Sequence, residues 1–258
     1  MAIAYFDCFS GISGDMILGA LVDAGLDFDT LNSELEKLPL DGFRLTRKTV
    51  TRQLIAGTKI DVIVRTAEGR EIIEGPGESG PFHDHGEARH LEDLTSVIEG
   101  STLDGAVRGR AIEVFDHLAT AESKVHGISK QEVHLHEVSG VDAVVDVVGA
   151  CIGLALLDID RVYASALPVG RGFIHCAHGR MPVPAPGALE LMRDMPVYHT
   201  GIEGELVTPT GAAFLKATAN GHGVLPRMIL RKIGYGAGTK DLPEHPNLLR
   251  VFIGDGVD

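Results

Sequence analysis

The stretch that most restricts how this chain can fold is Val141 to Leu157, VDAVVDVVGACIGLALL, an apolar run broken only by Asp142, Asp146 and two glycines. A helix that is apolar on every side must be covered on every side. The run falls short of a membrane span and carries two carboxylates, so its cover has to be other protein. Asp142 and Asp146 are four residues apart and share a helix face, which Gly149 and Gly153 continue as a flat surface where another backbone or a ligand can lie close. Carboxylates in such a helix are costly to bury unless paired or coordinated. Pairing with Lys124 or Arg161 is the structural answer; a metal or catalytic site is the functional one, and the chemistry crowded around the helix favours the second.

The other elements needed to cover this helix are legible in outline. Ala2 to Phe6 reads as a short buried strand feeding, through SGISG, a helix over Asp15–Ala24 that Gly25 ends. A second helix spans Phe28–Leu38, and alternation from Phe43 to Arg65 suggests two antiparallel strands joined near Ala56-Gly57. Glycines and prolines from Gly69 to Glu87 suggest a mobile loop. Helices are expected at Leu91–Glu99 and Asp104–His126, the second ended by Gly127. A strand-like or irregular segment then covers Glu132–Val138. After the apolar helix come a strand Arg161–Ala164, an extended stretch to Ala177, helices Ala185–Met195 and Thr210–Asn220, and strands near Met228–Ile233 and Leu248–Ile253. The pattern divides into residues 1–66, a loop 67–90 and a helical then mixed region 91–258. It favours an α/β fold, with α+β as the alternative, in which mixed sheet layers pack with helices.

Charge and cysteine usage narrow the function classes. Thirty-six acidic against 23 basic residues give a net charge of −13, which argues against a nucleic-acid or anionic-membrane surface while leaving room for a local basic pocket. Cys8, Cys151 and Cys176 are far apart with no C-x-x-C, and the chain opens without a basic, apolar leader, so a reducing cytoplasm is the expected setting.

Chemistry concentrates in four places. Asp7, Ser10, Gly11, Ser13, Gly14 and Asp15 lie where a strand end meets a helix start, a natural anion site that two carboxylates convert into one needing a bridging cation. The plainer reading has Ser13 capping the helix and Asp15 complementing its dipole. His134 and His136 point to one side of an extended segment, beside Glu137 and ahead of Asp142 and Asp146, so both imidazoles can reach one metal. His175, Cys176 and His178 form a soft-metal set, or a Cys–His nucleophile, followed by a stiff wall of alternating prolines; for Cys176 alone a small buried apolar role is the simpler reading. His83, His85 and His90 sit in the glycine-rich loop, suited to fast metal exchange or merely solvated. Two weaker signals are Thr208, an N-cap with Pro209 and Thr210 behind it, and Gly234–Asp241, which reads as a pocket-lining turn because Pro243 and Pro246 follow.

Taken together, YFDCFSGISGDM, VHLHEVSGVDAVVD, CAHGRMPVPAP, GELVTPTGAA and GYGAGTKDLPEHPNLLRV resemble, in order, the LarC family of nickel-pincer cofactor biosynthesis proteins, from residue 5 to residue 251. The resemblance implies an enzyme that inserts Ni²⁺ into pyridinium-3,5-bisthiocarboxylic acid mononucleotide at the expense of CTP. Nickel–sulfur bonds and a nickel–carbon bond form, giving the cofactor of lactate racemase. It also implies that CTP, with Mg²⁺ or Mn²⁺, binds a C-terminal half, separate or missing, that this chain lacks; a homo-oligomer is compatible with it. On this reading His134, His136, Glu137 and Asp142 form the centre, Asp7, Ser10, Ser13 and Asp15 a phosphate-side wall, and His175, Cys176 and His178 a third wall. The base for the ring proton is left open among them. A metal-dependent phosphoester hydrolase and a non-catalytic nickel carrier are the rival classes.

Overall fold

The computed structural model describes residues 1–65, 69–74, 90–135, 140–176, 179–243 and 245–257. Its centre is a strand, β1 (Ala2–Asp7), buried on both faces. β1 pairs in parallel with β5 (Arg161–Ala164) on one side and antiparallel with β12 (Leu248–Gly256) on the other. Outward from β5 comes β10 (Ala219–His222); outward from β12 come β11 (Met228–Ala237), β3 (Ile55–Arg65) and β2 (Phe43–Arg52), and β4 (Glu71–Glu74) also pairs with β3. The sheet is mixed: β1–β5, β5–β10 and β3–β11 are parallel pairs, and the rest are antiparallel. With its helical layer this is an α/β fold. Its strands come from both residues 1–66 and residues 91–258, so the sheet runs across that division.

The helices are α1 (Gly14–Asp23), α2 (Phe28–Leu35), α3 (Leu91–Glu99), α4 (Gly105–His126), α5 (Val141–Leu156), α6 (Pro186–Leu191) and α7 (Pro209–Thr218). Beside the large sheet, β6 (Leu167–Arg171) pairs with β9 (Val197–Glu203), and β7 (Phe173–Cys176) forms a hairpin with β8 (Gly179–Pro182). Among the described residues, no helix is long and apolar enough to cross a membrane.

Glycines decide how closely α1 is held. A Cβ on Gly236 would stand 1.8 Å from the Met16 carbonyl oxygen, and one on Gly234 would stand 2.0 Å from that of Ala20, so α1 lies directly on β11. On its other side Gly149 receives Leu18 and Gly153 receives Leu21. The flat face expected of the apolar helix is therefore the α1 contact, and the two helices run in the same direction. Phe6 and Phe214 meet edge to face, 5.7 Å between centroids, in the core beneath.

Several boundaries move. The β2–β3 hairpin turns at Gln53-Leu54, both at positive φ, not at Ala56-Gly57, which lie in β3; no turn-forming pair marks the true position. Gly234–Ala237 belong to β11, because the α1 backbone needs the space a side chain would fill; the proposed pocket-lining turn begins only at Gly238. Residues 71–74 of the expected loop form β4. β9 and β10 are strands, and Ala219 and Asn220, expected to end the helix over Thr210–Asn220, belong to β10 because α7 stops at Thr218. The helix expected over Ala185–Met195 is shorter, as is that over Phe28–Leu38.

Candidate functional site

β1, β5 and β11 end on the same edge of the sheet, and the starts of α1, α5 and α7 gather there. Carboxyl edges of α/β sheets are where ligands bind, because loops and helix N-termini meet beyond them. Two loops interlock at this edge. The Ile12 N–H donates to the Leu206 carbonyl (3.0 Å) and the Thr208 N–H to the Ile12 carbonyl (3.0 Å). Gly11, at φ +107°, lies so close that a Cβ would reach within 1.9 Å of the Leu206 oxygen, and one on Gly211 would reach within 2.5 Å of the Ile12 oxygen. Thr208 caps α7, accepting from the Gly211 N–H at 3.2 Å, and half-buried Thr210 follows. YFDCFSGISGDM and GELVTPTGAA are thus one interlocked structure.

Behind this lies a buried acid–lysine cluster. Asp15 accepts from the Ser13 hydroxyl, so Ser13 holds the carboxylate and does not cap the helix with its side chain. The other Asp15 oxygen takes the Lys59 ammonium at 2.7 Å and the Thr239 hydroxyl at 3.5 Å. Lys59 also reaches Asp61 (2.9 Å) and the Ile60 carbonyl (2.8 Å), and Lys48 closes on Asp61 at 2.7 Å. Burial pulls the Lys59 amine down, but Asp15 and Asp61 outweigh it and the net shift is up. Burial likewise pushes Asp61 up, and Lys48 and Lys59 outweigh it, leaving it low. Lys59 is the counter-ion of two buried carboxylates, a role the sequence reading did not give it.

Asp146 stands apart within the same cluster. One carboxyl oxygen lies against Gly14, where a Cβ would come within 2.5 Å; the other is buried with no hydrogen-bond partner among the described residues. Burial, then the charges of Asp15 and Asp142, push this carboxyl well above the usual range, against Lys59 and the Asp15 N–H. Lys124, one proposed partner, pairs instead with Glu190 at 2.6 Å. Half-exposed Asp142 sits one turn nearer the edge.

Toward solvent, Asp7 pairs with Arg250 through contacts of 2.5 and 3.0 Å. The guanidinium lies over Phe252 (4.8 Å) and Phe9 (5.6 Å), and His245 reaches the Phe9 carbonyl at 3.2 Å. Ser10 is fully buried, its hydroxyl without a partner among the described residues. Cys8 is buried too, and burial pushes its thiol up, away from thiolate character.

The histidines fall into separate groups. His90 and His134 bring their rings to 4.1 Å, and His90 also contacts the Val133 carbonyl at 3.0 Å. His175 is exposed and Cys176 half-buried on β7, a strand of the separate β7–β8 hairpin, whereas His90 and His134 lie on no strand. His83, His85, His136, Glu137 and His178 lie outside the described residues. Among the described residues no three His, Cys, Asp or Glu side chains gather as a metal cage. Sequence reasoning missed Lys59, Asp61, Thr239 and Arg250. The signal for the first two was present: Lys59 and Asp61 share one face of a strand whose neighbours are apolar.

The nickel insertion protein family model matches residues 4–257. The chain belongs to that family. It is 47% identical over 255 residues to the pyridinium-3,5-bisthiocarboxylic acid mononucleotide nickel insertion protein of Geobacillus kaustophilus, covering 99% of this chain and 60% of that protein. The protein of the same name from Desulfitobacterium hafniense is 47% identical over 258 residues, with 100% and 60% covered. A putative nickel insertion protein of Dictyoglomus thermophilum is 43% identical, with 100% and 62% covered. The chain thus spans about three-fifths of the length of these relatives. No solved structure matches it.

Proposed function

We propose that this chain supplies the metal- and substrate-binding part of a nickel insertase acting on pyridinium-3,5-bisthiocarboxylic acid mononucleotide in the cytoplasm, a lyase-class reaction. The observation that carries this reading is the interlocking of two family motif blocks at one sheet edge, in a chain matched by the family model from residue 4 to residue 257. Nickel is the cargo. Two thiocarboxylate sulfurs donate to it, and the ring carbon between them gives up a proton as the nickel–carbon bond forms. That step calls for a group that takes the proton and a site that keeps the ring, both thiocarboxylates and the metal in register.

The side chains divide these tasks. His90 and His134 offer borderline nitrogen donors for nickel. Asp7, fixed by Arg250, is a carboxylate held in one orientation at the edge, next to the aromatic faces of Phe9 and Phe252. Asp15, Lys59 and Asp61 are buried, and their task is to fix the start of α1. CTP with Mg²⁺ or Mn²⁺ is assigned to the part of the longer relatives that this chain does not cover. Titration calorimetry of this chain with Mg–CTP and Mn–CTP tests that assignment. No heat of binding is expected, and micromolar binding would place the nucleotide site here instead.

A further inference from the structure

The interlocked loops lead outward into an open groove. From Leu206 the chain runs back two residues to Gly204, which lies against β6: the Gly204 N–H donates to the Arg171 carbonyl at 3.0 Å, and a Cβ on Gly170 would stand 2.0 Å from the Gly204 oxygen. The groove so formed is lined by Arg171, Phe173, His175, Arg180, Glu203 and Gly204. Arg171 lines the groove and is anchored by its Nε to the Gly201 carbonyl at 2.8 Å; Glu203 approaches one terminal nitrogen only to 3.7 Å and is itself largely exposed. Arg180 lies over the Phe173 ring, 4.0 Å from its centroid, and makes no ion pair among the described residues. Two planar guanidiniums and an imidazole thus share an open groove with one solvated carboxylate, in a chain whose net charge is −13.

We propose that this groove binds the phosphate monoester of a pyridinium mononucleotide, through Arg171 and Arg180, with its ring end directed toward the β1–α1 edge. The proposal rests on the nickel-insertion reading for the identity of the nucleotide and on the groove itself for the anion. Guanidinium forks match phosphate oxygens two at a time, and Phe173 holds Arg180 flat for that contact without neutralising it. An exposed site of this kind is screened by salt, so binding weakens as ionic strength rises.

Pyridinium-3-carboxylic acid mononucleotide and the matching nucleoside, which lacks only the phosphate, are the probes, titrated by calorimetry into this chain, Arg180→Gln, Arg171→Gln and Arg180→Lys. The mononucleotide should bind more tightly than the nucleoside, inorganic phosphate should compete, and each Gln variant should weaken the mononucleotide about tenfold or more while leaving the nucleoside unchanged. Arg180→Lys should recover part of the loss. Equal binding of the two probes, or Gln variants that bind as the parent does, would overturn the proposal. Failure of nickel insertion with phosphate-dependent, arginine-dependent binding intact would instead sink the enzymatic reading and leave the groove assignment standing.

Discussion

At the scale of single residues, the account turns on which buried charges are satisfied. Lys59 holds Asp15 and Asp61, all three side chains less than a tenth exposed. Lys59→Met should therefore cost about 3–5 kcal/mol in denaturant unfolding, because it strands two buried carboxylates. Lys48→Met, which breaks a pair whose lysine is 56% exposed, should cost about 1 kcal/mol or less. Equal losses would show that the Lys59 network carries no special weight. Asp146 gives the opposite sign. Its folded-state pKa stands above the unfolded value of about 3.9, so the stability linked to its bound proton is present in acid and is lost as pH rises through the raised value. Relative to the parent, Asp146→Asn should gain stability as pH rises from acid to neutral. A difference between variant and parent that does not change with pH would contradict this.

The residue scale also shows where sequence reasoning succeeds and stops. That Asp146, Gly149 and Gly153 share a face follows from helical spacing, and α1 rests along that face. Lys59 had an adjacent signal: an alternating strand with charges on one face is normally solvated, and here Asp15, from the start of α1, meets Lys59 in the interior. Arg250 had none, since its meeting with Asp7 depends on the β1–β12 register across most of the chain.

At the scale of elements, the close seating of α1 on β11 is a backbone matter. Gly236→Ala must push against the Met16 carbonyl, 1.8 Å from the new Cβ, and should destabilise by about 2–4 kcal/mol while displacing the start of α1. Gly109, exposed within α4 with nothing within 4 Å of an added Cβ, is the control: Gly109→Ala should stabilise by about 1 kcal/mol. Thermal melts of the pair check both signs, and a harmless Gly236→Ala would mean that α1 can ride further from the sheet. The glycines of GYGAG were legible as unusual but not as strand residues. Glycine-rich runs signal turns locally, and the need here comes from a helix more than two hundred residues away in sequence.

At the scale of the whole molecule, the mixed sheet brings motif blocks from both ends of the chain to one edge, where Asp7 meets Arg250 and Asp15 meets Thr239. The central claim is that nickel is inserted here, with the nucleotide triphosphate handled elsewhere. The most direct measurement is anaerobic incubation of this chain with Ni²⁺ and pyridinium-3,5-bisthiocarboxylic acid mononucleotide, with and without a CTP-binding C-terminal part and Mg–CTP, followed by mass spectrometry of the small-molecule product. The account predicts that the substrate gains one nickel and loses the ring proton only when both polypeptides and CTP are present. Unchanged substrate in the complete mixture, or CTP hydrolysed there without nickel appearing in the product, would contradict it.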